Sequence, residues 1–307
     1  MSAEKNLTFS DVFISAISDL ESFYKEEYSF KIRHEFNDDS NSSAHASIKG
    51  WADDSYIRFS SDCCNKSVEG VTDFFVALII ISHELAHYVN HHNYYASPEL
   101  EDSRILEAWA DRFGMCIFMC LLTYGKGCGA IAESVNMPSH SGECIDEIGK
   151  AFAYMHKYFY NNISKKYHTP GDRVMHVAAG VNSFLESYWG NLELTRALDV
   201  YTRIYTSDHL FASVEGDIQN NVYSGDNWDK IRTIHLKLQN EKEAITLGLK
   251  KEFRRFIDTS FIESEVESKA YVKLRLLLAA QQSTMSNFDS STQQYFQDKF
   301  LNALKRD

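Results

Sequence analysis

His83, Glu84 and His87 fall within five residues at the end of the apolar run Phe74 to Ile81. Residues four apart share one face of an α-helix, so the two imidazoles can hold a single metal ion with the Glu84 carboxylate beside it. A catalytic metal usually takes three protein ligands and keeps its fourth position for water. Glu107, in the stretch Glu107-Ala108-Trp109-Ala110-Asp111, is the candidate third ligand. Glu107 and Asp111 are again four apart, so a helix there points both carboxylates the same way. Asp111 can then accept the free ring N–H of a ligating histidine, which fixes its tautomer and strengthens it as a ligand. The chemistry expected of such a set is metal-assisted hydrolysis. Zn2+ on His83, His87 and Glu107 lowers the pKa of its water towards about 7, and Glu84 takes the released proton and passes it to a leaving amine.

Two helices must carry these pairs. The first is expected from Val71 to about Asn93, with Phe74, Phe75, Leu78, Ile79 and Ile81 burying more than one of its faces. His91 extends the four-residue spacing past His87 and can approach the site behind the ligands, but a solvent-facing place near the helix end is expected for it. Ser97-Pro98-Glu99 reads as the start of the second helix, which runs to about Tyr124 and stops at Gly125-Lys126-Gly127. Arg104 and Arg112 flank its acidic pair and read as surface residues. A helix is predicted ahead of these from Thr8 to Tyr28, followed by strands at Phe30 to Phe36, Ala46 to Gly50 and Tyr56 to Ser60, with a polar turn from Asn37 to Ser43. Tyr56 to Ser60 lies just before the metal helix and is either a sheet edge for an extended substrate or a scaffold strand.

Downstream, 127 to 141 reads as irregular, and helices are predicted from Ser141 to Tyr160 and from Val174 to Trp189. The polar loop Tyr167 to Arg173 between them supplies His168 and Arg173, groups of the kind that reach an oxyanion. Pro170, Gly171 and Asp172 equally fit a capped helix start with Asp172 at its N-terminal end. Leu192 to Tyr205, Trp228 to Ile257 and Glu263 to Ala280 have helical spacing, while 209 to 227 reads as a loop.

The 307 residues are 44% apolar and 24% charged, enough for one large domain or two smaller ones. The division expected is a catalytic domain at 1–190 and a helical C-terminal lobe at 191–307. A net charge of −12 without a long basic cluster argues against nucleic acid or an anionic membrane as main partner. The longest apolar runs are too short to span a bilayer, and residues 1–6 lack the pattern of a signal peptide. A cytoplasmic protein is expected. The six cysteines form no C-x-x-C pair and fit buried free thiols better than a structural zinc on Cys63, Cys64 and Cys128.

The sequence H-E-x-x-H at 83–87 followed by E-x-x-A-D at 107–111 resembles the gluzincin zinc peptidases. The pattern is shared by the HtpX and CaaX-processing peptidases and by the Lit phage-exclusion peptidases, the last being the more similar in length and in the downstream His168 and Arg173. Metzincins would need a glycine and a third histidine where Asn90 and Asn93 stand. The resemblance covers about residues 30 to 180. It implies an α+β, mainly helical, zincin-like core with a small antiparallel sheet and two metal-binding helices. It also implies a zinc-dependent endopeptidase acting on an intracellular protein in a phage-defence or regulatory setting. The alternatives are a housekeeping peptidase of unfolded chains and a regulatory or interaction protein with a structural or vestigial zinc site. Glu84 speaks against the last, because a structural site has no use for a base.

Overall fold

Few prolines and long stretches of three-and-four spacing produce a mainly helical chain with one small sheet. The computed structural model describes residues 6–37, 45–51, 54–97, 99–160, 166–220, 228–241 and 248–257. Helix α1 (Phe9–Ser22) opens where the Asp11 carboxylate accepts from the Thr8 N–H at 3.0 Å and hydroxyl at 2.7 Å. It stops short of the predicted Tyr28. Glu26–Tyr28 is a separate 3-10 turn that ends on Ser29 at φ 46°.

The sheet holds β1 (His34–Asn37), β2 (Ala46–Lys49) and β3 (Tyr56–Ser60) in the order β1-β3-β2. β2 pairs antiparallel with β3, and β1 pairs parallel with it, His34 opposite Ile57 and Asn37 opposite Ser60. The sheet is therefore mixed, where an antiparallel one was expected. Three strands that reverse direction in turn are all antiparallel only if the second lies in the middle; here the third does. β3 is the strand with two fully buried apolar side chains, Ile57 and Phe59, and it takes the centre. Its Phe59 stacks on Phe13 of α1 at 4.5 Å. Tyr56–Ser60 is thus paired on both sides and is not a free edge; β1 and β2 are the edges among the described residues. The first strand is also shorter than predicted, because the Ile32 N–H donates to Glu21 Oε1 (2.8 Å) instead of to a neighbouring strand.

Next come α2 (Ser61–Cys64), α3 (Val71–Val89) and α4 (Leu100–Tyr124). Phe74, Phe75, Leu78 and Ile81 of α3 are fully buried. Among the described residues α3 is the one helix long and apolar enough to cross a membrane, and 61% of its most apolar window is buried inside the protein. Then follow α5 (Lys126–Ser134), α6 (Ser141–Tyr158), α7 (Pro170–Trp189), α8 (Leu194–Thr206), α9 (Leu210–Asn220), α10 (Trp228–Glu241) and α11 (Lys251–Ile257). Two of these, α5 and α9, fall where an irregular segment and a loop were expected. α5 starts where Asp19 of α1 accepts from the backbone N–H groups of Gly127 (3.0 Å) and Cys128 (2.7 Å). α9 is anchored by buried Leu210 and Val214.

Helices α4 and α7 meet closely at Gly180, where a Cβ would collide with the Arg112 carbonyl oxygen. Val200, Ile204, Leu210, Val214, Phe253 and Phe256, all beyond residue 190, belong to the same apolar cluster as α1, α3 and α4. Phe253 stacks on Phe23 at 4.0 Å. The expected helix at 263–280 and the expected turn at 38–43 lie outside the described residues.

Candidate metal centre

α3 and α4 face each other across Gly114, where a Cβ would stand 3.0 Å from the Ser82 carbonyl oxygen and 3.1 Å from the His83 Cα. That close approach brings the two i, i+4 pairs together. His83 Nε2 lies 3.1 Å from Glu107 Oε2, His87 Nε2 lies 3.4 Å from the same oxygen, and the two Nε2 atoms are 3.2 Å apart. Ligand atoms bound at about 2.0–2.1 Å to a tetrahedral zinc are separated by roughly 3.3 Å. The three atoms thus form a triangle of the right size for one face of such a site. Among the described residues they are the one group of three His, Cys, Asp or Glu side chains able to hold a metal ion. The three side chains remain partly open, 13–21% exposed, which leaves an approach for a further ligand.

Behind them the site is closed by a chain of charges. His83 Nδ1 lies 2.9 Å from Asp111 Oδ1, as expected for an orienting carboxylate. Asp111 in turn accepts two hydrogen bonds from Arg173, from Nε and from Nη2, both at 2.8 Å. Burial disfavours the charged form of Asp111, but the Arg173 guanidinium outweighs it and holds the carboxyl well below the usual carboxylate range. Burial likewise opposes the charge on Glu107, and the neighbouring imidazoles of His87 and His83 overcome it and lower the pKa. On Glu84 burial is the largest influence and raises the pKa, while the adjacent histidines pull the other way.

The sequence placed Arg173 among groups that reach reacting atoms; its guanidinium is instead turned onto Asp111 and packed over the Tyr160 ring at 4.1 Å. A buried carboxylate needs a partner, and α7 supplies it from its first turn. His168 precedes that helix, with Nδ1 4.0 Å from Asp172 Oδ2 and its ring edge-on to His176 at 5.5 Å. The helix start is capped by Thr169, whose hydroxyl accepts from the Asp172 N–H at 3.2 Å, with Pro170 and Asp172 in the first turn. Arg104 is exposed, and Arg112 donates to Ser183 of α7 at 3.0 Å.

Three residues of the site escaped the sequence reading. Tyr167 packs over Arg173 at 4.9 Å, and the Glu107 charge together with burial raises its pKa, so the phenol keeps its proton. His92 and His235 form the other addition. His87 Nδ1 lies 2.7 Å from His92 Nδ1, and His92 Nε2 lies 2.8 Å from His235 Nε2 of α10. Both rings are buried, and burial lowers the pKa of His92 well below the usual value and that of His235 to about 3. The four-residue spacing carries on to His91, for which a solvent-facing place was expected; α3 ends at Val89, and His91 sits in the left-handed region at φ 55°. The chain folds back there and brings His92 to His87. For His235 the signal was its place on the apolar stripe Ile231, Ile234, Leu238, where a histidine needs a polar partner.

All six cysteines are free, and burial pushes Cys63 up to about 12 and Cys64 up to about 11, which favours neutral thiols. No known protein family, curated protein or solved structure matches this chain.

Proposed function

We propose that the chain is a zinc-dependent endopeptidase, with His83, His87 and Glu107 as metal ligands and Glu84 as general base. The observation that carries this reading is the triangle of ligand atoms at 3.1–3.4 Å, with Glu84 on the same helix turn as the two histidines. Bound there, zinc would act as a Lewis acid on the scissile carbonyl and would acidify water. Glu84 takes the proton of the attacking water on its carboxylate and delivers it to the leaving amine. Asp111, fixed by Arg173, holds the His83 ring with its Nδ1–H directed away from the ligand face. His168 and the protonated Tyr167 are the candidate donors to the oxygen on which charge develops. β2, the edge strand packed on α3, is the candidate for main-chain pairing with an extended protein or peptide substrate. The resemblance to the Lit group supports an intracellular protein cleaved at few sites, in defence or regulation.

Elemental analysis of protein purified without added metal tests the centre. About one zinc per chain is expected in the wild type and little in His83→Ala. Glu84→Gln should retain the metal and the fold and lose peptide hydrolysis, by a factor of about 100 or more. Cleavage at the wild-type rate by metal-loaded Glu84→Gln would rule the mechanism out.

A further inference from the structure

His92 and His235 take no part in the hydrolytic roles assigned above, yet they are 5% and 2% exposed and lie in line with His87. Two imidazole nitrogens at 2.7 and 2.8 Å are hydrogen-bonded; atoms sharing a tetrahedral zinc would stand roughly 3.3 Å apart. A neutral imidazole has one N–H and one lone pair. If Nε2 of His87 faces a metal, its proton is on Nδ1 and points at Nδ1 of His92. His92 must accept there, so its own proton is on Nε2 and points at Nε2 of His235. Each tautomer dictates the next. The far end is held by α10, whose Ile231, Ile234 and Leu238 pack on Ile105 and Leu106 of α4, one residue from the ligand Glu107. Lys230 adds ion pairs to Glu99 (3.1 Å) and Asp102 (2.6 Å) at the start of α4.

We propose that His92 and His235 are positioning residues of the metal centre: the chain His87–His92–His235 fixes the ring and tautomer of His87, so that the seating of α10 contributes to metal affinity. This rests on the metal reading of His83, His87 and Glu107. Ligating histidines ordinarily direct the second nitrogen to a carboxylate or carbonyl, as His83 does with Asp111. His87 directs it to His92, and His92 in turn bonds to His235 on α10, a helix distant in the chain, which couples the two regions.

The test uses the full chain, stripped of metal and titrated with Zn2+ against a chromophoric chelator, and with Co2+ for its visible spectrum. His92→Leu should weaken zinc binding by about 10- to 100-fold, the range for loss of such a partner, and His235→Leu by about 3- to 10-fold. His235→Gln, whose amide oxygen can accept from His92, should stay within about threefold of wild type. The Co2+ spectrum should change in His235→Leu and return in His235→Gln. A purely structural role would lower the melting temperature of the metal-free variants without moving zinc affinity or the spectrum. Wild-type affinity in both leucine variants would overturn the proposal and leave the metal centre standing. A wild type that takes up no zinc would overturn both. Should the leucine variants fail to fold, nitrogen NMR of the zinc-loaded wild type decides: His92 protonated on Nε2 is expected, and protonation on Nδ1 is fatal.

Discussion

Arg173 and Asp111 are the pair on which the geometry of His83 depends. Both are almost fully buried and their two 2.8 Å hydrogen bonds are parallel, a geometry that lysine cannot reproduce. Arg173→Met removes one partner and leaves a carboxylate in the interior, which should destabilise the protein by about 3–5 kcal/mol. Arg173→Lys should fall between, with metal affinity reduced because Asp111 is no longer held; chemical denaturation and zinc titration would show it, and unchanged values in both would refute the role. A second residue-scale prediction concerns acid. Burial lowers the His235 pKa to about 3, below the ordinary value of about 6.5 for the unfolded chain. A folded pKa below the unfolded one means that stability is fully present above pH 6.5 and is lost as pH falls towards 3. The slope from this one group is roughly 1 kcal/mol per pH unit below 6.5. Melting temperatures between pH 7 and 5 should therefore fall less steeply in His235→Leu than in the wild type, and parallel curves would refute it.

Two glycines determine how closely the site's helices approach. At Gly180 an added Cβ meets the backbone carbonyl of Arg112, which has no rotamer with which to yield. Gly180→Ala must therefore move α7 away from α4, costing about 1–3 kcal/mol and loosening Arg173 from Asp111. At Gly114 the contacts with Ser82 and His83 are near 3 Å, so Gly114→Ala asks for a shift of a few tenths of an ångström at His83, a proposed metal ligand. A larger loss of zinc affinity than of stability is expected there, and the reverse at Gly180. The i, i+4 pairs His83/His87 and Glu107/Asp111 were legible because one helix turn is a local property. The ligand triangle also required α3 and α4 to meet, and in the sequence Gly114 was only a break in an apolar run. What was missed depends on distant partners. The start of α5 is capped by Asp19, far away in the chain, and β3 displaced β2 from the sheet centre by virtue of its buried Ile57 and Phe59. His92 was hidden because the helical count stops at Val89, and Arg173 because its orientation follows from α7 docking on α4.

At the scale of the molecule, the candidate metal centre is tied to both halves of the chain. Glu107 stands on the helix that receives α7 and α10, while α8 and α9 bury Val200, Ile204 and Val214 in the cluster that encloses α3. An expected boundary at 190 coincides with Gly190, the left-handed cap that ends α7, yet the described helices beyond it pack back onto α4, α6 and α7. Metal removal distinguishes a separate lobe from a shared core. Ligand binding to the folded state alone stabilises by RT ln(1 + [L]/Kd), about 2.7 kcal/mol when zinc is at one hundred times its Kd. For a chain of this size that corresponds to a rise of roughly 5 °C in melting temperature. If the helices share one cooperative core, calorimetry should give a single transition that moves as a whole when metal is added and returns with a chelator. Two transitions, only one of them moved by zinc, would instead mark residues beyond 190 as an independent unit. That outcome would also demand that α10 detach without affecting the metal. It would therefore count against the proposed role of the His87–His92–His235 chain, whose last ring is carried by that helix.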